Sequence, residues 1–446
     1  MELIGLIPTF GNVVWTILAF VVALSIIVAV HEYGHYIIGR WSGIHAEVFS
    51  LGFGPVLFSR RDRRGTRWQV AALPFGGYVK FLGDSDAASA GKDGVALSRL
   101  SKEERRHTMH GAPLWARAAT VAAGPVFNFI FSILIFTGFF LYNGIATDIP
   151  VVGHQKATPF AGQSLLPGDR ILALDGTETV DLATFVDVAA ALPPASSANY
   201  HVQREGREET VEGPYPFPPI ADAVQPDSAA QDGGLVAGDV ILAVNDRKID
   251  AFSELREIVG ASGGDPLHVN VWRAGEVFDT VLTPRRMDIP AAEGGFETRW
   301  LIGLSGGLVF APETRMPGPF EALGLATERT WDIAATSLSG LAHMISGAIS
   351  SCNLRGPIGI AESSGAAATQ GAATFILFIA LLSTAVGLMN LFPVPVLDGG
   401  HLVLHAWEAI TGKPPSDRAL NYLMTAGLTL ILGLMAFAIT NDIFCP

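Results

Sequence analysis

LAFVVALSIIVAVHEYGH, residues Leu18–His35, makes two physical demands within a few turns of chain. Its apolar part belongs to a run from Leu3 to Val30 with no charged residue, longer than the about 20 apolar residues that cross a bilayer core. Its polar end, His31-Glu32-Tyr33-Gly34-His35, sets three ionisable side chains where charge is costly and usually functional. On a helix His31 and His35, at i and i+4, share one face and can bind one Zn²⁺. Glu32 lies beside them as a general base toward water. A cleavable signal would carry positive charge before a shorter apolar core, whereas Glu2 precedes this one. The run is therefore read as a retained membrane span.

Further uncharged runs lie between Arg117 and Asp148, Glu362 and Asp398, and Arg418 and Asp442, which makes four spans. The remaining composition agrees. Of 446 residues 49% are hydrophobic and 16% charged, with mean hydropathy +0.38, against about a quarter charged in soluble domains. The net charge of −13 argues against a nucleic-acid partner. The two cysteines, Cys352 and Cys445, cannot form a disulfide framework or a thiolate metal cage. Arg60, Arg61, Arg63, Arg64, Arg67, Lys80, Arg105 and Arg106 fall between the first two spans, so that loop is assigned to the cytoplasm and both termini to the other side. Ala334–Cys352, uncharged but rich in Ser, Gly and Ala, is read as an interfacial or packed helix.

A catalytic zinc keeps three protein ligands and an open position. NLFPVPVLDGGH, Asn390–His401, closes the third span and supplies Asp398. Span parity returns that span to the face on which the first one ends, so Asp398 meets His31 and His35 at similar depth. His401, His405 and His45 are rival ligands, with His401 alternatively an outer-shell partner. Pro393 and Pro395 free nearby carbonyls, which suits backbone lining a wet cavity. Asn390 is placed to hydrogen-bond an unwound substrate or a developing oxyanion. Asn128, inside the second span, bonds either the catalytic helices or a structural neighbour. Gly356-Pro357 is read as a helix end before the third span.

Between Gly144 and Pro317 the composition turns soluble and contains a duplication. LLPGDRILALDGTETVDLATF from Leu165 aligns with LVAGDVILAVNDRKIDAFSEL from Leu235, a period of 70 residues. Each copy reads as Gly-Asp, a short strand, a turn, an amphipathic helix and a Val-x-Arg-x-Gly hairpin around Arg204 or Arg273. The pattern resembles PDZ domains of the bacterial protease type, which implies grooves for peptide C-termini or extended strands. Between the first two spans, AEVFSLGFGPVLFS and TRWQVAALPFGGYVKF read as strands around RRDRRG. Such a hairpin, with Gly76 and Gly77 in its second strand, could dip into the membrane rim and pair with substrate.

HEYGH, GPVFNF (Gly124–Phe129), LPFGGYVK (Leu73–Lys80), the two repeats and NLFPVPVLDGG together resemble the site-2 protease family of intramembrane zinc metalloproteases, in its bacterial RseP type, over nearly the whole chain. The departures are Ala- and Gly-rich stretches around Ala87–Val95. The resemblance implies Zn²⁺ on His31, His35 and Asp398, Glu32 as catalytic base, and Asn390, Pro393, Pro395, Gly76 and Gly77 in substrate handling. It also implies second-site cleavage of single-span membrane proteins such as an anti-sigma factor, clearance of remnant signal peptides, and a place in the bacterial inner membrane.

The expected fold is thus an α-helical membrane protein with four transmembrane helices, a cytoplasmic membrane-associated β-hairpin and two extracytoplasmic α+β PDZ-like domains. The divisions are a first span 1–40, cytoplasmic loop 41–114, second span 115–145, PDZ-like domains 146–214 and 215–287, and a connector 288–362. A third span 363–398, a loop 399–418 and a fourth span 419–441 complete the chain. A non-catalytic PDZ-bearing adaptor with a structural zinc is the competing function. Glu32 discriminates, since a structural site needs no base.

Overall fold

The computed structural model describes residues 6–84, 94, 98, 100–160, 164–290 and 295–444. Most of the Ala- and Gly-rich stretch Ala87–Val95, and Cys445, lie outside the described residues. Cys352 is disulfide-bonded. The chain forms two compact units, one of residues 1–138, 320–341 and 354–445 and the other chiefly of residues 139–319 and 342–353.

The first unit begins with α1 (Leu6–Trp41), followed by β1 (Ala46–Arg61), β2 (Arg67–Phe81), the single-turn α2 (Lys102–Arg105) and α3 (Leu114–Asn143). Among the described residues four helical segments are long and apolar enough to cross a membrane: Val13–Trp41, Leu114–Asn143, Ala372–Asn390 and Arg418–Phe444. Small residues let them meet. A Cβ on Gly34 would stand 2.5 Å from the Ala123 carbonyl oxygen, so α1 and α3 touch backbone to backbone there. The Ser132 hydroxyl donates to the Ala380 carbonyl at 2.7 Å and that of Ser383 to the Asn128 carbonyl at 3.0 Å. Such bonds count where no water can compete.

β1 and β2 are the expected strands, but the pair folds back on itself. Phe49 faces Val79 on one side and Trp68 on the other, while Val56–Arg61 pair with Ala71–Arg67. Gly52 and Gly54, at φ 85° and 82°, make the bend. The far end is apolar and open, with Leu57 72% and Phe58 65% exposed.

Three readings of the connector and third span need correction. The helix expected at Ala334–Cys352 is α4 (Pro319–Ile345). Its start was hidden by Glu321, Glu328 and Asp332, which sit on the exposed face while Ala322, Ala326, Thr330 and Ala334 form one buried stripe at helical spacing. The uncharged run read as one span over 363–398 is broken. α5 (Pro357–Thr369) ends before Gly371, whose φ of 112° restarts the chain as α6 (Ala372–Asn390). Residues 391–397 then leave the helix before α7 (Asp398–Thr411) and α8 (Asp417–Phe444). Gly356-Pro357 begins a helix rather than ending one. Gly356 is the N-cap of α5 and Pro357 its first residue, where a missing N–H costs nothing. Asp442 supplies the cap from α8, accepting from the amides of Gly356 at 2.7 Å, Ile358 at 3.0 Å and Gly359 at 3.2 Å.

The second unit carries the duplication as two four-stranded antiparallel sheets. In the first, β3 (Arg170–Leu174), β4 (Thr177–Glu178), β5 (Ser197–Arg204) and β6 (Arg207–Pro214) run in the order β4-β3-β5-β6, with a helix Leu182–Ala191. In the second, β7 (Val240–Val244), β8 (Arg247–Lys248), β9 (Leu267–Arg273) and β10 (Glu276–Leu282) repeat that order, with a helix Phe252–Ala261. The two motif residues meet in each copy. Arg204 grips the buried Asp169 through Nε at 2.8 Å and Nη2 at 2.7 Å, and Arg273 grips the fully buried Asp239 through the same atoms, both at 2.7 Å. A bidentate pair is stiff. Asp239 also accepts from the Val236 amide at 2.8 Å. Asp239→Ala therefore strands a guanidinium and an amide together, and lowers the stability of this repeat by about 2–3 kcal/mol. Hydrogen exchange should quicken across β7–β10, whereas Arg247→Ala, which removes a side chain that is 63% exposed, should change it little.

Candidate metal centre

Two elements supply the candidate metal donors. α1 contributes His31 and His35 from one face, and α7 contributes Asp398 from its first turn. His31 Nε2 and His35 Nε2 lie 3.2 Å apart, and Asp398 Oδ2 stands 3.1 Å from the first and 3.4 Å from the second. A tetrahedral zinc with bonds near 2.0–2.1 Å needs donor separations of about 3.3 Å. Among the described residues these three are the only group able to hold a metal ion. His401 and His405 line the same cavity without joining them.

The donor set itself asks for a cation. His35 Nδ1 donates to the Thr120 carbonyl at 2.8 Å, which leaves Nε2 as a lone pair. Asn128 meets Nδ1 of His31 through its side-chain amide at 3.3 Å, while its buried Oδ1 has no partner. Turning that amide by half a rotation lets Oδ1 accept from the Nδ1–H of His31. Both imidazoles then present bare Nε2 atoms to Asp398 Oδ2, itself buried without a hydrogen-bond partner. Three lone pairs facing one another at this range repel unless a metal lies between them, so the residues fit zinc. The sequence left Asn128 between two roles. The structure puts it against a ligand histidine while its backbone carbonyl takes the Ser383 bond.

Glycines decide whether the site closes. A Cβ on Gly124, in α3, would fall 2.3 Å from His35 Nε2 and 2.8 Å from His31 Cε1. One on Gly399 would meet the Leu391 carbonyl oxygen at 2.2 Å, and one on Gly400 that of Val394. The first turn of α7 is thus folded tightly under the 391–397 segment that carries Pro393 and Pro395. Gly77, in β2, lies against Glu32, its absent Cβ 3.0 Å from that residue's Cγ. Gly76 packs on Phe53 instead. The Val79 backbone amide donates to the Glu32 carboxylate. Sequence reasoning missed Val79, since a main-chain donor has no residue signature.

Glu32 and the three donors open into a cavity of about 540 Å³, lined further by Asn390, His401, His405, Arg117 and Glu408. Arg117 and Glu408 form a two-bond pair at 2.6 and 3.0 Å. Burial, and then the Arg117 cation, push His405 down to about 4, so it is neutral near pH 7. Asn390 spends its Nδ2 on the Val386 carbonyl at 3.0 Å. A cavity of this size, with polar and apolar walls, admits water.

Gly124→Ala should abolish stoichiometric zinc in the purified protein, because the added methyl occupies the space of the histidine rings. Asn128→Ala should weaken zinc affinity by about 10–100-fold, the usual loss when a ligand histidine is no longer oriented. Chelator competition followed by metal analysis reads both.

Residues 19–434 match the family model described as Peptidase family M50. A protein named as a candidate zinc metalloprotease in Agrobacterium fabrum is 35% identical over 429 residues, covering 96% of this chain and 95% of that protein. The regulator of sigma-E protease RseP of Escherichia coli is 33% identical over 462 residues, covering 96% and 98%. Its counterpart in Salmonella typhimurium is 33% identical over 465 residues, covering 97% and 99%. The chain belongs to peptidase family M50, the zinc-dependent site-2 metalloproteases.

Proposed function

We propose that this metalloprotease is an intramembrane endopeptidase that makes the second cut in single-span membrane proteins of the bacterial inner membrane, anti-sigma factors among them. The single observation that carries the reading is the set of three unsatisfied donors beside Glu32 in an open polar cavity. In this reading His31, His35 and Asp398 hold zinc. Bound zinc supplies Lewis-acid chemistry, polarising the scissile carbonyl and making water acidic enough to deprotonate near neutral pH. Glu32 takes the proton from the attacking water and delivers it to the departing amine. The Val79 amide steadies one carboxylate oxygen and leaves the other for the proton.

A transmembrane helix hides its peptide bonds in its own hydrogen-bond ladder, so a substrate must unwind before attack. Asn390 and the backbone around Pro393 and Pro395 are proposed to hold the unwound strand, and the β1–β2 hairpin with Gly76 and Gly77 to pair with it. The exposed Leu57 and Phe58 support a hairpin end that enters the membrane rim. The two repeated sheets are proposed to be extracytoplasmic PDZ-like domains taking peptide C-termini, with both chain termini on that same side. The sigma-E regulator names of the relatives motivate the anti-sigma-factor class. Remnant signal peptides are a second substrate class. A structural-zinc adaptor is disfavoured, because a structural site closes its fourth position with protein and no fourth donor joins the group among the described residues.

The test is cleavage of a single-span substrate by purified protein in detergent. Glu32→Gln should lose about 10²–10⁴-fold in rate with zinc content unchanged. Equal rates, or no cleavage of several trimmed substrates by zinc-loaded wild type, would favour the adaptor.

A further inference from the structure

A second cavity, of about 420 Å³, opens at the C-terminal end of α1, where that helix meets the start of β1, the hairpin turn and α2. Its wall carries Arg40, His45, Arg64 and His107 against a single carboxylate, Glu104. That carboxylate is already engaged, accepting from the Ser101 amide at 2.8 Å in the reciprocal cap of α2. Asp62, just beyond the wall, is engaged as well. Its Oδ1 takes the amides of Arg64 and Thr66, and its Oδ2 accepts from the Tyr36 hydroxyl and the Trp68 indole.

Arg40 is the informative residue. Its Nη1 donates to the Tyr36 hydroxyl and its guanidinium lies 5.6 Å from the centre of that ring, while Nη2 is buried with no hydrogen-bond partner among the described residues. The end of α1 does not claim that nitrogen, because the amides of Ser42, Gly43 and Ile44 bond back to the carbonyls of Ile38, Arg40 and Gly39. The wall thus brings two guanidinium groups and two imidazoles together, His107 meeting the Gly43 carbonyl through Nδ1 at 2.7 Å, while Glu104 and Asp62 already accept other hydrogen bonds. A planar fork with flanking imidazoles and a second arginine suits a tetrahedral phosphate oxyanion better than a carboxylate.

We propose that this cavity binds a phosphate group, of the kind carried by an anionic phospholipid headgroup. Trp41, 73% exposed at the last position of α1, marks the level at which aromatic side chains meet headgroups. Clustered arginines are the usual partner of anionic lipid. An occupant would join the last turn of α1 to both ends of the hairpin, and that hairpin holds Glu32 through Val79. The phosphate site is independent of the peptidase reading; its lipid source rests on the membrane placement of α1.

The experiment is titration calorimetry on the full-length protein in a neutral detergent with three probes: short-chain phosphatidylglycerol, inorganic phosphate and the matching diacylglycerol. Wild type should bind phosphatidylglycerol saturably, and Arg40→Gln and Arg64→Gln should each weaken binding at least tenfold. Arg64 is exposed on the turn, so its variant keeps the fold should Arg40→Gln lose it. Inorganic phosphate bound as tightly as the lipid, with the same arginine dependence, would retain the phosphate site and make free phosphate its occupant. No saturable binding of either phosphate probe, equal binding by wild type and Arg64→Gln, or diacylglycerol binding as well as the phospholipid would overturn the proposal.

Discussion

Two imidazole nitrogens and one carboxylate oxygen lie within 3.4 Å of one another, and with their lone pairs turned inward they repel at low dielectric until a cation lies between them. Much of the first unit can be understood as the scaffold that imposes this arrangement. The α1–α3 contact at Gly34 and Ala123 brings the helices close enough for Thr120 and Asn128 to orient the two histidines from behind. Gly124 leaves the space their rings fill. On the other side, the non-helical 391–397 segment and Gly399-Gly400 turn the chain so that Asp398 enters from the N-terminus of a separate helix. A carboxylate on a continuous third span would have been carried by a different backbone geometry.

The hairpin is coupled to this centre through main-chain chemistry. Gly77 permits β2 to approach Glu32, and the Val79 amide fixes the carboxylate. In the proposed mechanism the element that pairs with substrate is also the element that positions the base.

That His31, His35 and Asp398 come together was legible because HEYGH lies at helical spacing on the end of an uncharged run, and because span parity put Asp398 at the same depth. The duplication was legible as a period of 70 residues, although the Asp169–Arg204 and Asp239–Arg273 pairs that lock it became visible only in three dimensions. The break at Gly371 was missed because the run was defined by the absence of charge alone, although its character changes there from the small and polar SSGAAATQ to the strongly apolar FILFIALL. Gly356-Pro357 misled for a related reason: the pair suits a helix end or a helix start, and the Asp442 carboxylate that decides between them lies 86 residues away. Gly124 and Val79 act through space and through the main chain, which side-chain patterns do not record.

The central claim is that two imidazoles and one carboxylate hold a zinc that keeps an open position. X-ray absorption at the zinc edge of the purified protein tests it most directly. The account predicts two histidine nitrogens and two oxygens at about 2.0–2.2 Å, with one oxygen lost in Asp398→Ala. A third histidine nitrogen, or a spectrum unchanged by Asp398→Ala, would contradict it.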